Sequence, residues 1–139
     1  YELKLYDPGL HRQHTGTSNR QILDNLLHLR EMQSNLPQSF RLWIRTPLIP
    51  GTTATLENLT TLGGYLSDAL DGCVERWELC AFNNLCRDQY TRLGMQWTYA
   101  NTLLMTASEL ASLEHIAKTA SKHPEIVLAT GATRLVEPL

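Results

Sequence analysis

Segments with two-residue apolar periodicity alternate along this chain with segments of helical periodicity, and that order limits the folds open to it. Leu3 and Leu5 alternate with Glu2 and Lys4 at the start of the chain. Phe40, Leu42 and Ile44 alternate with Arg41, Trp43 and Arg45. Two further strand-like runs are Trp77 to Phe82 and Glu125 to Ala129. Between them lie helical patterns: Ile22, Leu26 and Leu29; Leu56, Leu59, Leu62, Leu66 and Leu70; and Leu110, Leu113, Ile116, Ala117 and Ala120. Strand, helix, strand, helix, strand, helix, strand predicts parallel strands with right-handed crossovers, an α/β fold. It fits a slice of a barrel or an open doubly wound sheet. In both, ligands gather beyond the carboxyl ends of the strands, which directs attention to Lys4, Arg45 and Asn83.

Local signals place the boundaries. Asp7-Pro8-Gly9 reads as a turn, with a short, polar, helical stretch from His11 to His14 closed by Thr15-Gly16. Ser18 with Gln21, and Thr106 with Glu109, have the spacing of capping boxes. The first predicts a helix from Ser18 to about Met32. Pro47 and Pro50-Gly51 are expected to stop the second strand. Thr53 or Thr55 is expected to cap the next helix. Gly63-Gly64 within that helix costs about 1 kcal/mol per glycine relative to alanine, which favours close packing against a neighbour. Asn83 to Met105 reads as a long irregular excursion, the kind that covers something or carries function. His123-Pro124 is expected to end the last helix.

The 139 residues suit a single domain, 1–139, and 42% hydrophobic content argues against disorder. A net charge of -2 and the scattered basic residues give no field for nucleic acid or an anionic membrane. No apolar stretch approaches the roughly 20 residues of a membrane span, and the start has no signal-peptide pattern. Three sparse cysteines fit a reducing, cytoplasmic setting. The chain opens at Tyr1 directly into a core-grade strand. The expectation is that further residues precede it.

The candidate chemistry has two readings at each position. Arg45 can clamp a carboxylate or phosphate, or form an ion pair with Glu78 on the next strand. Glu2 and Lys4 share a face and can hold a cation or a zwitterion between them, or simply face solvent. Asn83-Asn84 can bind a ligand or make the turn. The histidines lack metal-ligand spacing, and Cys80 reads as a buried, inert thiol. No P-loop, dinucleotide fingerprint or nucleophile elbow is present.

Several segments together are more specific. Glu2-Leu-Lys4-Leu-Tyr-Asp7-Pro, His11-Arg-Gln-His-Thr15-Gly16-Thr-Ser-Asn19, and Trp43-Ile-Arg45-Thr-Pro47-Leu-Ile-Pro50-Gly51 resemble, in order and spacing, the glycyl-radical-enzyme activating enzymes. This is the group of radical S-adenosylmethionine (SAM) proteins that includes pyruvate formate-lyase activating enzyme. Trp77-Glu78-Leu79 through Leu93-Gly94 is similar to that family's Glu-Leu-Leu-Pro-Tyr-His segment and following loop.

The resemblance implies the carboxyl-terminal half of a partial (β/α)6 barrel. It implies that Lys4 and Arg45 approach SAM, and that Asn83 stands where the family has histidine. It also implies that Glu2 stands where the family has an aspartate near a monovalent cation. The family's [4Fe–4S] cluster is held by a Cys-x-x-x-Cys-x-x-Cys motif, and Cys73, Cys80 and Cys86 lack that spacing. The resemblance puts the motif upstream of Tyr1. The parent protein is then expected to generate a glycyl radical on a partner enzyme, while the chain alone is inactive, binds SAM weakly at most and self-associates through open sheet edges. The alternatives are a non-catalytic protein-interaction module derived from the same fold, or a radical SAM enzyme of another subgroup.

Overall fold

The computed structural model describes residues 1–136; the expected unit of 1–139 includes three residues outside that range. Helices α1 (Pro8–Thr15) and α2 (Arg20–Glu31) precede strand β1 (Trp43–Leu48). Helix α3 (Leu56–Asp68) leads to β2 (Arg76–Ala81). Then come α4 (Arg87–Arg92), α5 (Ala107–Ala120) and β3 (Val127–Thr130). The sheet runs β1-β2-β3 with both pairings parallel. The α/β class expected from the alternation is the one observed.

Burial alternates strictly along β1 and β2. Ile44, Thr46, Leu48, Trp77, Leu79, Ala81 and Val127 are buried on one face, where Leu26, Leu59, Leu62, Leu66 and Ala117 join the core. Parallel strands usually read as unbroken apolar runs because both faces are covered. Among the described residues only one face is. The other carries Trp43, Arg45, Arg76, Glu78 and Cys80.

Several boundaries differ from those expected. β1 begins at Trp43 rather than Phe40, which is exposed on the approach. Pro47 lies inside β1 instead of ending it. The capping box at Ser18 does not form: Asn19 is the N-cap of α2, and Gln21 donates to the Asn25 carboxamide at 2.8 Å. Asp7 caps α1 through its bond from the Leu10 N–H at 2.7 Å, with Pro8 at the first helical position, so the apparent turn is a helix start. Helix α3 is capped by Thr55, and Leu56 at its start is exposed although the rest of its leucine stripe is buried. The irregular excursion holds α4. Helix α5 ends at Ala120, before His123-Pro124, and β3 starts at Val127 rather than Glu125. The capping box at Thr106 and Glu109 is complete.

The two central glycines of α3 are not equivalent. A Cβ built on Gly63 would meet the Ala120 Cβ at 2.7 Å and the Ala120 carbonyl carbon at 3.1 Å, so Gly63 lets α5 approach. Gly64 has nothing within 4 Å of the same position. Gly64→Ala is expected to stabilise the fold by about 0.5–1 kcal/mol through backbone entropy and helix propensity. Gly63→Ala is expected to destabilise it by about 1–3 kcal/mol through overpacking. Urea midpoints of the two variants check this; a stabilised Gly63→Ala would refute the close contact.

Candidate functional site

The first six residues do not form a ladder strand, although they lie where one belongs. Backbone bonds run from Leu3 N–H to the Arg45 carbonyl and from Arg45 N–H to the Tyr1 carbonyl, both at 2.9 Å. They make a single parallel bridge that sets Glu2 beside Arg45. Continuing the ladder would require Pro47 to donate to the Leu3 carbonyl, and proline has no N–H. The Thr46 hydroxyl donates there instead, at 2.7 Å, and itself accepts from the buried Trp77 indole at 3.0 Å. The Pro47 carbonyl is taken by the Thr53 hydroxyl.

Two buried asparagines complete the fastening. Asn58 donates to the Lys4 carbonyl at 2.9 Å and accepts from the Tyr6 N–H at 3.2 Å. Asn19 donates to the Leu5 and Tyr6 carbonyls at 3.1 and 2.7 Å. The last bonds also explain why Asn19 makes no side-chain cap for α2. His11, 3% exposed, shares its Nδ1 between the Thr17 carbonyl and the Thr15 hydroxyl, at 2.8 and 3.0 Å. The His-x-x-x-Thr-Gly-x-x-Asn segment is thus a brace that shapes the end of α1 and presents Asn19 to the first segment.

That fastening positions the polar sheet face. Leu3 and Leu5 are buried, so Glu2 and Lys4 project to the side that carries Arg45 and Glu78. Lys4 Nζ meets Glu2 Oε1 at 2.6 Å, and Arg45 Nε meets Glu78 Oε2 at 3.2 Å. Cationic and anionic groups therefore alternate across adjacent backbone segments. The Arg45–Glu78 ion pair weighed from the sequence is present, yet the Arg45 side chain remains 58% exposed. The Cys80 sulfur, where it is ionised, and the Glu78 carboxylate favour the charged form of its guanidinium. Burial pushes the Cys80 thiol up, so at neutral pH it is a protonated thiol. Glu78 is fixed from the far side by the Thr130 hydroxyl, which donates to its Oε1 at 2.8 Å.

Arg45 lies mid-strand rather than at the carboxyl end of β1, and reaches the open face from there. Asn83 stands just past the carboxyl end of β2, exposed, and accepts the Leu85 N–H at 3.2 Å, which is the turn-making role. Phe82 beside it packs against Trp97 and Tyr99 at centroid distances of 6.0 and 6.1 Å, and Tyr90 stacks on Trp97 at 5.9 Å. The excursion after β2 thus builds an aromatic cluster over that end of the sheet. Gly131, at φ +115° just past β3, would place a Cβ 2.8 Å from that of Ala81, so glycine closes the strand ends together there.

The residues described do not fit an iron–sulfur cluster. Cys73 bonds the Gln33 carboxamide oxygen, Cys80 lies in β2, and Cys86 is exposed beyond it. No three His, Cys, Asp or Glu side chains among the described residues are grouped to hold a metal ion. Glu2 already faces the Lys4 ammonium. Among the described residues no helix is long and apolar enough to cross a membrane.

Comparison with known proteins places this architecture. A domain of pyruvate-formate lyase-activating enzyme from Bacteroides vulgatus shares the fold, with a TM-score of 0.64 at 19% identity over 94% of this chain and 65% of that one. The indoleacetate decarboxylase activating enzyme of Tractidigestivibacter scatoligenes is 30% identical over 122 residues, 88% of this chain and 35% of its own length. The (2S)-3-sulfopropanediol dehydratase activating enzyme of Klebsiella oxytoca is 26% identical over 117 residues, covering 84% and 35%. The pyruvate formate-lyase-activating enzyme of Streptococcus mutans is 28% identical over 96 residues, covering 69% and 34%. No protein-family model matches the chain. The chain is similar in sequence to glycyl-radical-enzyme activating enzymes and shares the fold of one of their domains. It spans about a third of the length of the curated relatives it matches.

Sequence reasoning identified the polar row but missed the clamps behind it. Asn58, a carboxamide beside the leucine stripe of α3, was the available signal for one. Replacing Asn19 with alanine leaves the Leu5 and Tyr6 carbonyls without their donor and is expected to cost about 1–3 kcal/mol. Asn19→Asp, which sets a carboxylate against those carbonyls, is expected to cost more at pH 7. Equilibrium urea unfolding of the two variants decides it; wild-type stability in both would remove the clamp from the account.

Proposed function

We propose that this chain forms the SAM-facing part of a glycyl-radical-enzyme activating enzyme, and that Lys4 and Arg45 supply the positive charge that receives SAM. The observation that carries this reading is the bridge between Glu2 and Arg45. It aligns the two basic residues of the family pattern on one open sheet face. Lys4 and Arg45 offer charge-assisted donors to a carboxylate, Arg45 in a planar fork and Lys4 as a point charge. Glu2 is the acceptor for an ammonium or for a monovalent cation, in exchange for Lys4. Asn83 keeps hydrogen-bonding capacity at the end of β2 but cannot titrate. SAM, when cleaved reductively, supplies a 5′-deoxyadenosyl radical able to take a hydrogen from a glycine Cα. The cluster that such cleavage requires does not fit the residues described, so no step is assigned to it on this chain. The relatives named as activating enzymes support a glycyl radical enzyme as the partner.

Titration of the isotopically labelled chain with SAM, followed by NMR, tests the site. The expected result is weak, saturable binding that perturbs Lys4, Arg45 and Asn83, with Arg45→Ala weakening it about tenfold, the worth of one charge-assisted contact. Unchanged affinity in Arg45→Ala and Lys4→Ala would remove both residues from the site. Tight binding by the wild-type chain would show a complete SAM site rather than part of one.

The outer edge of β3 has no strand partner among the described residues. An unpaired edge is a template for pairing with another chain. We expect self-association at roughly the micromolar concentrations at which exposed edges associate. Sedimentation velocity checks this, and a single monomeric species throughout would overturn it.

A further inference from the structure

We propose that Glu78 is a positioning residue for the Arg45 guanidinium, and that Thr130 sets Glu78 in turn, so that the three strands of the sheet jointly orient one SAM-facing donor. The inference rests on the reading of Arg45 as a SAM contact. Register brings the parts together: Arg45 pairs with Glu78 across β1 and β2, and Thr130 lies two residues along β3 from the partner of Glu78. The two carboxylate oxygens of Glu78 are divided between separate tasks. Oε1 accepts the Thr130 hydroxyl at 2.8 Å, and Oε2 faces Arg45 Nε at 3.2 Å.

The exposures differ in a way that matters. The Glu78 side chain is 15% exposed and that of Arg45 is 58% exposed. A pair of that kind anchors the stem of the arginine at a fixed point while its outer nitrogens stay open to a ligand. A free arginine would lose rotamer freedom on binding, and a held one has already lost it. Cys80 is the other side chain that acts on the guanidinium; its Sγ lies 4.0 Å from the Glu78 backbone carbonyl and is not bonded to the Glu78 carboxylate.

Two effects of Glu78 on the SAM carboxylate oppose each other. Its negative charge weakens the attraction of the face for a carboxylate, whereas its hold on Arg45 strengthens the directed contact. Thr130→Val separates them, because it removes the hydroxyl and leaves every charge in place. Glu78→Gln removes the charge and keeps the shape.

The experiment measures SAM affinity and the Arg45 Nε–H signal by NMR on the full chain, for wild type, Thr130→Val, Glu78→Gln and Arg45→Ala. The expected result is a sharp Arg45 Nε–H signal in wild type that broadens in Thr130→Val and Glu78→Gln. Affinity should fall about three- to tenfold in both variants, in the range of coupling between contacting residues, with thermal midpoints near wild type. Equal or tighter SAM binding in Thr130→Val and Glu78→Gln, alongside a loss in Arg45→Ala, overturns the positioning role and leaves the SAM site standing. Wild-type affinity in Arg45→Ala overturns the assignment of Arg45 and this inference with it.

Discussion

Pro47 has no N–H to offer Leu3, and the arrangement of the first segment follows from that gap. A backbone ladder would have held Tyr1 to Tyr6 against β1 without help from side chains. Because the ladder stops after one bridge, Thr46 takes the Leu3 carbonyl, Asn58 that of Lys4, and Asn19 those of Leu5 and Tyr6. These donors come from β1, α3 and the loop before α2, so three parts of the fold converge on one six-residue strip. All three are buried, where an unpaired carbonyl costs about 1–3 kcal/mol. The indole of Trp77 closes the set by donating to Thr46, which links the strip to the centre of the sheet.

The contrast between the two faces of the sheet is the second organising feature. One face is dry and carries the core. The other carries Glu2, Lys4, Arg45 and Glu78 with alternating sign. Alternation keeps the row close to neutral, so a zwitterion suits it better than a polyanion, and the whole-chain charge of -2 adds little. The arginine is the least buried member of its pair, and the glutamate is braced from behind.

Much of this was legible in the sequence. The order of α2, β1, α3, β2, α5 and β3, the Thr106 capping box, the leucine stripe of α3 from Leu59 onward and the pairing of Arg45 with Glu78 follow from periodicity and spacing, whereas the expected first strand is only a single bridge. Family resemblance supplied Lys4, Arg45, Asn83 and Glu2 as a set. Periodicity failed where proline and asparagine were concerned. Pro47 reads as a strand terminator because the sequence does not show which edge its missing N–H faces; here it faces the first segment, and β1 keeps its pairing with β2. Ser18 reads as a cap because the pattern is local, whereas Asn19 is committed to carbonyls thirteen and fourteen residues away in the chain. Asn83 illustrates a different gap: its turn-making bond is visible, and a ligand contact is a separate property of the same carboxamide.

The clamps also act as a ruler. Thr46, Asn58 and Asn19 grip consecutive carbonyls, so each measures the position of a particular residue rather than the presence of a strip. A one-residue insertion between Tyr1 and Tyr6 would turn Leu3 or Leu5 outward and carry Glu2 or Lys4 into the core. Side-chain gripping therefore makes this segment intolerant of length change while leaving the outward positions 2 and 4 free to vary in residue type. Aspartate or glutamate at position 2 would satisfy such a ruler equally.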